Sequence, residues 1–184
     1  LTVSEVDNIY ALLSREKPAD PWDGKYLTFT SVQQSGREFI LYVKNKKNLA
    51  ISKASLSRLG NTADFLCKKE ESGRYSFYNE EAQVYMIWRA GTNLGYNKNL
   101  GVMSEYDPTY CDWGIGEGST VVEGTHYITS KRANGDSGTL IITSTGLFDA
   151  WYSGIGYAAG YSNLFRISIS DYPTSIKEVG VDVK

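Results

Sequence analysis

Gly135-Asp136-Ser137-Gly138 is the run in this chain best suited to seat a nucleophile. A serine nucleophile works only with a base at hydrogen-bonding distance and a third group orienting that base. The single histidine, His126, falls on the predicted strand before the one that Ser137 opens. Asn134-Gly135 is itself a tight-turn signal, so Ser137 is expected in a hairpin turn and no catalytic residue is assigned. One histidine, with both cysteines at core positions, leaves no zinc set. Glu70-Glu71 and Glu80-Glu81 are adjacent pairs whose side chains point to opposite faces of a strand, so neither makes an acid–base dyad. The GxxxxGK[ST] phosphate loop and the dinucleotide signature are absent. No metal and no cofactor are expected.

The stretch from Phe148 to Tyr161 offers different chemistry. It sets Asp149, Trp151, Tyr152, Tyr157 and Tyr161 among glycines, with Asn163 just beyond. A flat ring stacks on the apolar face of a pyranose, while Asp and Asn accept hydroxyl hydrogen bonds. Asp149, Trp151, Tyr152, Tyr157 and Asn163 are therefore the candidate ligand-binding residues. The competing structural role is that Trp151 and Tyr157 cover the open end of a barrel.

Composition bounds the partners. The chain is long enough for one buried core, and with 14 Tyr, 6 Phe, 4 Trp and a net charge of −2 it is not a disordered one. The densest basic cluster is Lys44, Lys46 and Lys47, which is no nucleic-acid stripe. No apolar run approaches the roughly 20 residues of a membrane helix, so membrane insertion is not expected. Cys67 and Cys111 read as buried reduced thiols rather than a disulfide.

The elements that must position these residues are nearly all strands. Ser4 with Asp7 has capping-box spacing, and Val3, Val6, Ile9, Tyr10 and Leu13 recur at helical intervals. Pro18 and Pro21 end that segment. Beyond it, short Tyr, Ile, Val, Phe and Thr runs alternate with Gly, Asn and Ser turns. A threefold repeat is visible in them. Gly24-Lys25-Tyr26 returns as Gly73-Arg74-Tyr75 and, one residue longer, as Gly124-Thr125-His126-Tyr127. An aromatic follows each at a near-constant interval: Phe65 after Tyr26, Trp113 after Tyr75 and Phe165 after Tyr127. Between the markers, Asn48–Ser52 aligns with Asn93–Asn97 and with Leu147–Trp151.

These three units, each of about 48 residues, resemble the β-trefoil superfamily, in which three four-stranded units close a six-stranded barrel capped by three hairpins. The resemblance covers residues 22–170, and implies that Phe65, Trp113 and Phe165 are core residues around the threefold axis. It leaves residues 1–21 as an N-terminal helical segment and 171–184 as a tail or linker. In ricin-type trefoil lectins each unit has a Leu-Asp-Val-like strand whose Asp holds the sugar, followed by a Gln-x-Trp. Here Phe148-Asp149-Ala150 keeps an acid, where the first two units offer Ala50 and Gly95, and Asn163-x-Phe165 is the nearest relative of Gln-x-Trp. The Gly-Asp-Ser-Gly run resembles the tetrapeptide around the nucleophile of trypsin-like serine proteases, but Thr139-Leu140 follow where that family continues Gly-Pro.

The sequence thus predicts an all-β chain, a β-trefoil with a short N-terminal helix. Its expected role is a non-catalytic, lectin-like carbohydrate-binding module with one site in the third unit, secreted or at the cell surface. A protein-binding trefoil, such as a protease inhibitor, is the alternative. The partner is then a glycan or a cell-surface protein, and not nucleic acid.

Overall fold

A computed structural model of the protein describes residues 2–13, 19–88, 100–117, 121–131, 137–143, 146–150 and 156–175. The chain opens on helix α1 (Val3–Leu13). Its cap comes earlier than the sequence suggested: Thr2 Oγ1 accepts from Glu5 N–H at 3.3 Å, and the Glu5 carboxylate accepts from Thr2 N–H at 2.7 Å. That reciprocal pair is a capping box on Thr2 and Glu5.

The strands follow in three sets. The first is β1 (Tyr26–Val32), β2 (Glu38–Lys44), β3 (Asn48–Ser52) and β4 (Phe65–Lys69). The second is β5 (Tyr75–Asn79), β6 (Val84–Trp88), β7 (Leu100–Met103) and β8 (Trp113–Glu117). The third is β9 (His126–Lys131), β10 (Ser137–Thr143), β11 (Gly146–Ala150), the short β12 (Tyr161–Ser162) and β13 (Phe165–Ser170). Antiparallel pairing runs β1-β4-β5-β8-β9-β13 and back to β1, a closed ring of six strands. Closure removes every edge from the ring. Hairpins β2-β3, β6-β7 and β10-β11 stand on β1, β5 and β9. This is the trefoil architecture, with the threefold axis along the barrel.

The repeated glycines have a backbone reason. Gly24, Gly73 and Gly124 enter β1, β5 and β9 at φ 75, 81 and 76°, in the left-handed region, where a Cβ is costly. Nothing lies within 4 Å of a Cβ built on any of them, so the requirement is conformational and not steric.

Register corrects two alignments made from the sequence. Leu27, Tyr75 and His126 are the residues opposite Phe65, Trp113 and Phe165. His126, not Tyr127, therefore takes the third marker position, and the extra residue belongs to the first unit. The third strand of the second unit is β7 at Leu100–Met103, not the 93–97 segment, which lies outside the described residues. The turn from Lys44 to Asn48 that joins β2 to β3 is tight, whereas β6 ends at Trp88 and β7 begins only at Leu100.

Phe65, Trp113 and Phe165 are fully buried, together with Leu27, Phe29, Phe77, Met86 and Ile128. Phe29 sits 5.6 Å from Phe65 and 5.1 Å from Phe77, centroid to centroid. The Trp113 indole N–H donates to the Met86 carbonyl at 2.9 Å, which removes the cost of burying that polar atom. Cys67 and Cys111 are free thiols, both buried, and burial pushes each pKa up. The segment expected as a tail begins docked: buried Thr174 donates its N–H and hydroxyl to Asp64 at 2.6 and 2.5 Å. Residues 176–184 lie outside the described residues.

Candidate functional site

In the third unit, β10 and β11 pair so that Leu140 faces Asp149 across the ladder. The matching pairs are Leu41 with Ile51 and Met86 with Val102. Asp149 thus holds the register position of Ile51 and Val102, and not that of Ala50 or Gly95. Ile51 and Val102 are half-buried against the core.

The remaining predicted residues divide. Trp151 and Tyr152 lie outside the described residues. Tyr157 bridges to Ser162 and is half-buried, while Tyr161 is 46% exposed beside it. Asn163 sits deeper than Tyr157 and Tyr161. It is fully buried, two residues before Phe165, in the slot that the equally buried Ala63 and Cys111 hold before Phe65 and Trp113. Its amide oxygen accepts from Gly156 N–H at 2.9 Å and its Nδ2 donates to Thr139 Oγ1 at 3.3 Å. Asn163 therefore anchors the start of the loop at Gly156.

Ser137 begins β10 opposite Lys131. His126 lies at the other end of β9 from Lys131, about 16 Å away at strand rise, with its ring edge-on to Trp22 at 5.0 Å. The two do not form a dyad. Among the described residues no three His, Cys, Asp or Glu side chains gather as metal ligands, and no helix is long and apolar enough to cross a membrane.

Two features escaped the sequence reading. A cleft of about 210 Å³ is lined by Tyr26, Asn61, Asp64, Glu80, Glu81 and Pro173. There a hydrogen bond to the Glu80 carboxylate, with burial behind it, pushes the Tyr26 phenol up to about 12. On the second unit, Tyr78 and Tyr85 pair across β5 and β6 with ring centroids 4.7 Å apart, and Tyr106 approaches Tyr85 at 5.7 Å. Period-two alternation was the available signal: with Phe77 and Met86 inside, Tyr78 and Tyr85 must face out.

Two solved structures share this fold. A GlcNAcα1-4Gal releasing endo-β-galactosidase from Clostridium perfringens superposes with a TM-score of 0.59 at 12% identity, over 79% of this chain and 32% of its own. The chain is a β-trefoil. ThreeFoil, a designed threefold-symmetric protein, superposes with a TM-score of 0.57 at 16% identity, over 79% of this trefoil and 98% of its own length. At such identities the likeness concerns the fold alone, and this chain corresponds to about a third of the galactosidase. No protein-family model and no curated protein sequence matches it.

Proposed function

We propose that this trefoil is a non-catalytic, lectin-like carbohydrate-binding module with one sugar site in the third unit, secreted or displayed at the cell surface. The observation that carries the reading is Asp149 in the register position of Ile51 and Val102. It adjoins a run of Trp, Tyr and Gly. In this reading Asp149 accepts sugar hydroxyls, Trp151 or Tyr152 stacks on the ring, and Tyr157 flanks the site. Asn163 supports it from behind, through Gly156. The likeness to part of a glycan-releasing galactosidase agrees with a glycan partner. The distance between Ser137 and His126 supports the absence of serine catalysis. A glycan array followed by tryptophan-fluorescence titration of the hits tests the proposal: Asp149→Ala should abolish the shift. An array without hits, or binding indifferent to Asp149→Ala, would remove it.

A further inference from the structure

Register aligns one lateral row across five strands on the outside of the barrel. Tyr26 on β1 faces Leu66 on β4, Leu66 faces Tyr78 on β5, Tyr78 faces Tyr85 on β6, and Tyr85 faces Met103 on β7. All five are half-buried, and Tyr106, 40% exposed, closes the far end. Four steps of about 4.8 Å give a track of about 19 Å. The threefold-related rows are built otherwise. One runs Gly114, Thr129, Thr139, Ala150, and the other Arg166, Thr30, Ile40, Ser52. The fold therefore does not require aromatic residues there.

Charge defines what the track fits. At its near end the cleft carries Glu80 and Glu81, beside Asp64, whose carboxylate is already held by Thr174. At its far end the phenols of Tyr85 and Tyr106 are raised by burial first, and then by neighbours that include Glu70 for both and Glu105 for Tyr85. Among the described residues, Lys25, Lys68 and Arg74 adjoin this stretch, and they engage Asp171, Glu70 and Asp112. Aromatic faces bordered by carboxylates attract organic cations, guanidinium above all, because the ring quadrupole and the carboxylates act with the same sign.

We propose that the Tyr26–Tyr78–Tyr85–Tyr106 track is a docking surface for an extended, arginine-rich segment of a protein partner, separate from the sugar site. The Arg side chains lie over the tyrosine faces, and the acidic ends hold the flanking positive charges. Steering by this field makes the association salt-sensitive.

The test uses the whole chain and a short fluorescein-labelled peptide of alternating arginine and serine, followed by anisotropy at low salt. Its citrulline counterpart keeps the shape and removes the charge. Saturable binding to the wild type is expected, with loss of the citrulline peptide. Tyr106→Ala and Tyr106→Leu should each weaken binding about five- to tenfold, the range of a partly desolvated cation–π contact. Glu105→Gln should weaken it as well, and added salt should do so for every variant. Asp149→Ala should leave it unchanged, so the result is independent of whether the third-unit site takes sugar. Absence of saturable binding overturns the proposal, as does wild-type affinity in both Tyr106 variants. A neutral oligosaccharide bound in a Tyr106-dependent manner, with the peptide ignored, would assign the track to sugar instead.

Discussion

Asn163 and Gly156 are joined twice, by the Asn163 amide oxygen accepting from Gly156 N–H at 2.9 Å and by Asn163 N–H donating to the Gly156 carbonyl at 2.8 Å. These bonds close the base of the loop that carries Tyr157 and Tyr161. Asn163→Ala strands buried partners, an effect of about 1–3 kcal/mol. Chemical denaturation should show that loss with sugar present or absent. A side chain that bound sugar directly would instead lower affinity and leave the midpoint unchanged.

Phe65, Trp113 and Phe165 fill equivalent places round the axis, each fully buried. Truncation of any one to Ala removes transfer free energy and leaves a cavity, about 3–5 kcal/mol. Trp113→Ala should lie at the upper end, because it also leaves the Met86 carbonyl without its indole donor. Denaturation midpoints check this; losses below about 1 kcal/mol at all three sites would contradict the threefold core.

The barrel was legible in the sequence because its constraints are local and repeated. A left-handed glycine at each entry and a large aromatic at each fourth strand recur at near-constant spacing. The hairpin caps were less legible, since the long connection between Trp88 and Leu100 offered Asn93–Asn97 as a false match to Asn48–Ser52. The burial of Asn163 was less legible: its likeness to the Gln of Gln-x-Trp suggested a ligand, whereas its offset from Phe165 puts it in the slot of Ala63 and Cys111. The tyrosine track could not be read at all from order alone: Tyr26, Tyr78 and Tyr85 become neighbours only through the register of β1, β4, β5 and β6.

Alkaline pH should weaken the fold. The Tyr26 phenol, held by Glu80, rises from its ordinary 10 to about 12, and Tyr75 shifts in the same direction through burial and its bond to Asp20. A folded pKa above the unfolded one means that the native state holds the proton more tightly. The contribution is therefore complete below pH 10 and is lost between about 10 and 12 for Tyr26. Urea midpoints measured across that window should fall more steeply for the wild type than for Tyr26→Phe, which has no proton to lose. Parallel curves would contradict the Tyr26–Glu80 bond.

Ser137 should be inert. A fluorophosphonate reports serines activated by a base, and His126 is committed to the β9–β13 ladder and to the Trp22 ring. Labelling at Ser137, lost in Ser137→Ala, would show a base that the described residues do not supply.

Asp149 is where stability and binding should separate. Ile51 and Val102 occupy its register position in the sister units and pack against the core. Asp149→Ile restores the aliphatic pattern of the sister units and should raise stability by roughly 0.5–2 kcal/mol, the range of consensus-type substitutions. Asp149→Ala tests the carboxylate alone. Both variants should lose the fluorescence response to sugar, because a single stacked ring with a few water-exposed hydrogen bonds leaves little surplus after binding costs. That surplus corresponds to an affinity on the order of millimolar to tens of micromolar. A stabilised Asp149→Ile that still binds sugar would free Asp149 from recognition. A destabilised one would show the carboxylate to be a structural partner in the cap hairpin, and the sugar site would then have to lie elsewhere on the barrel.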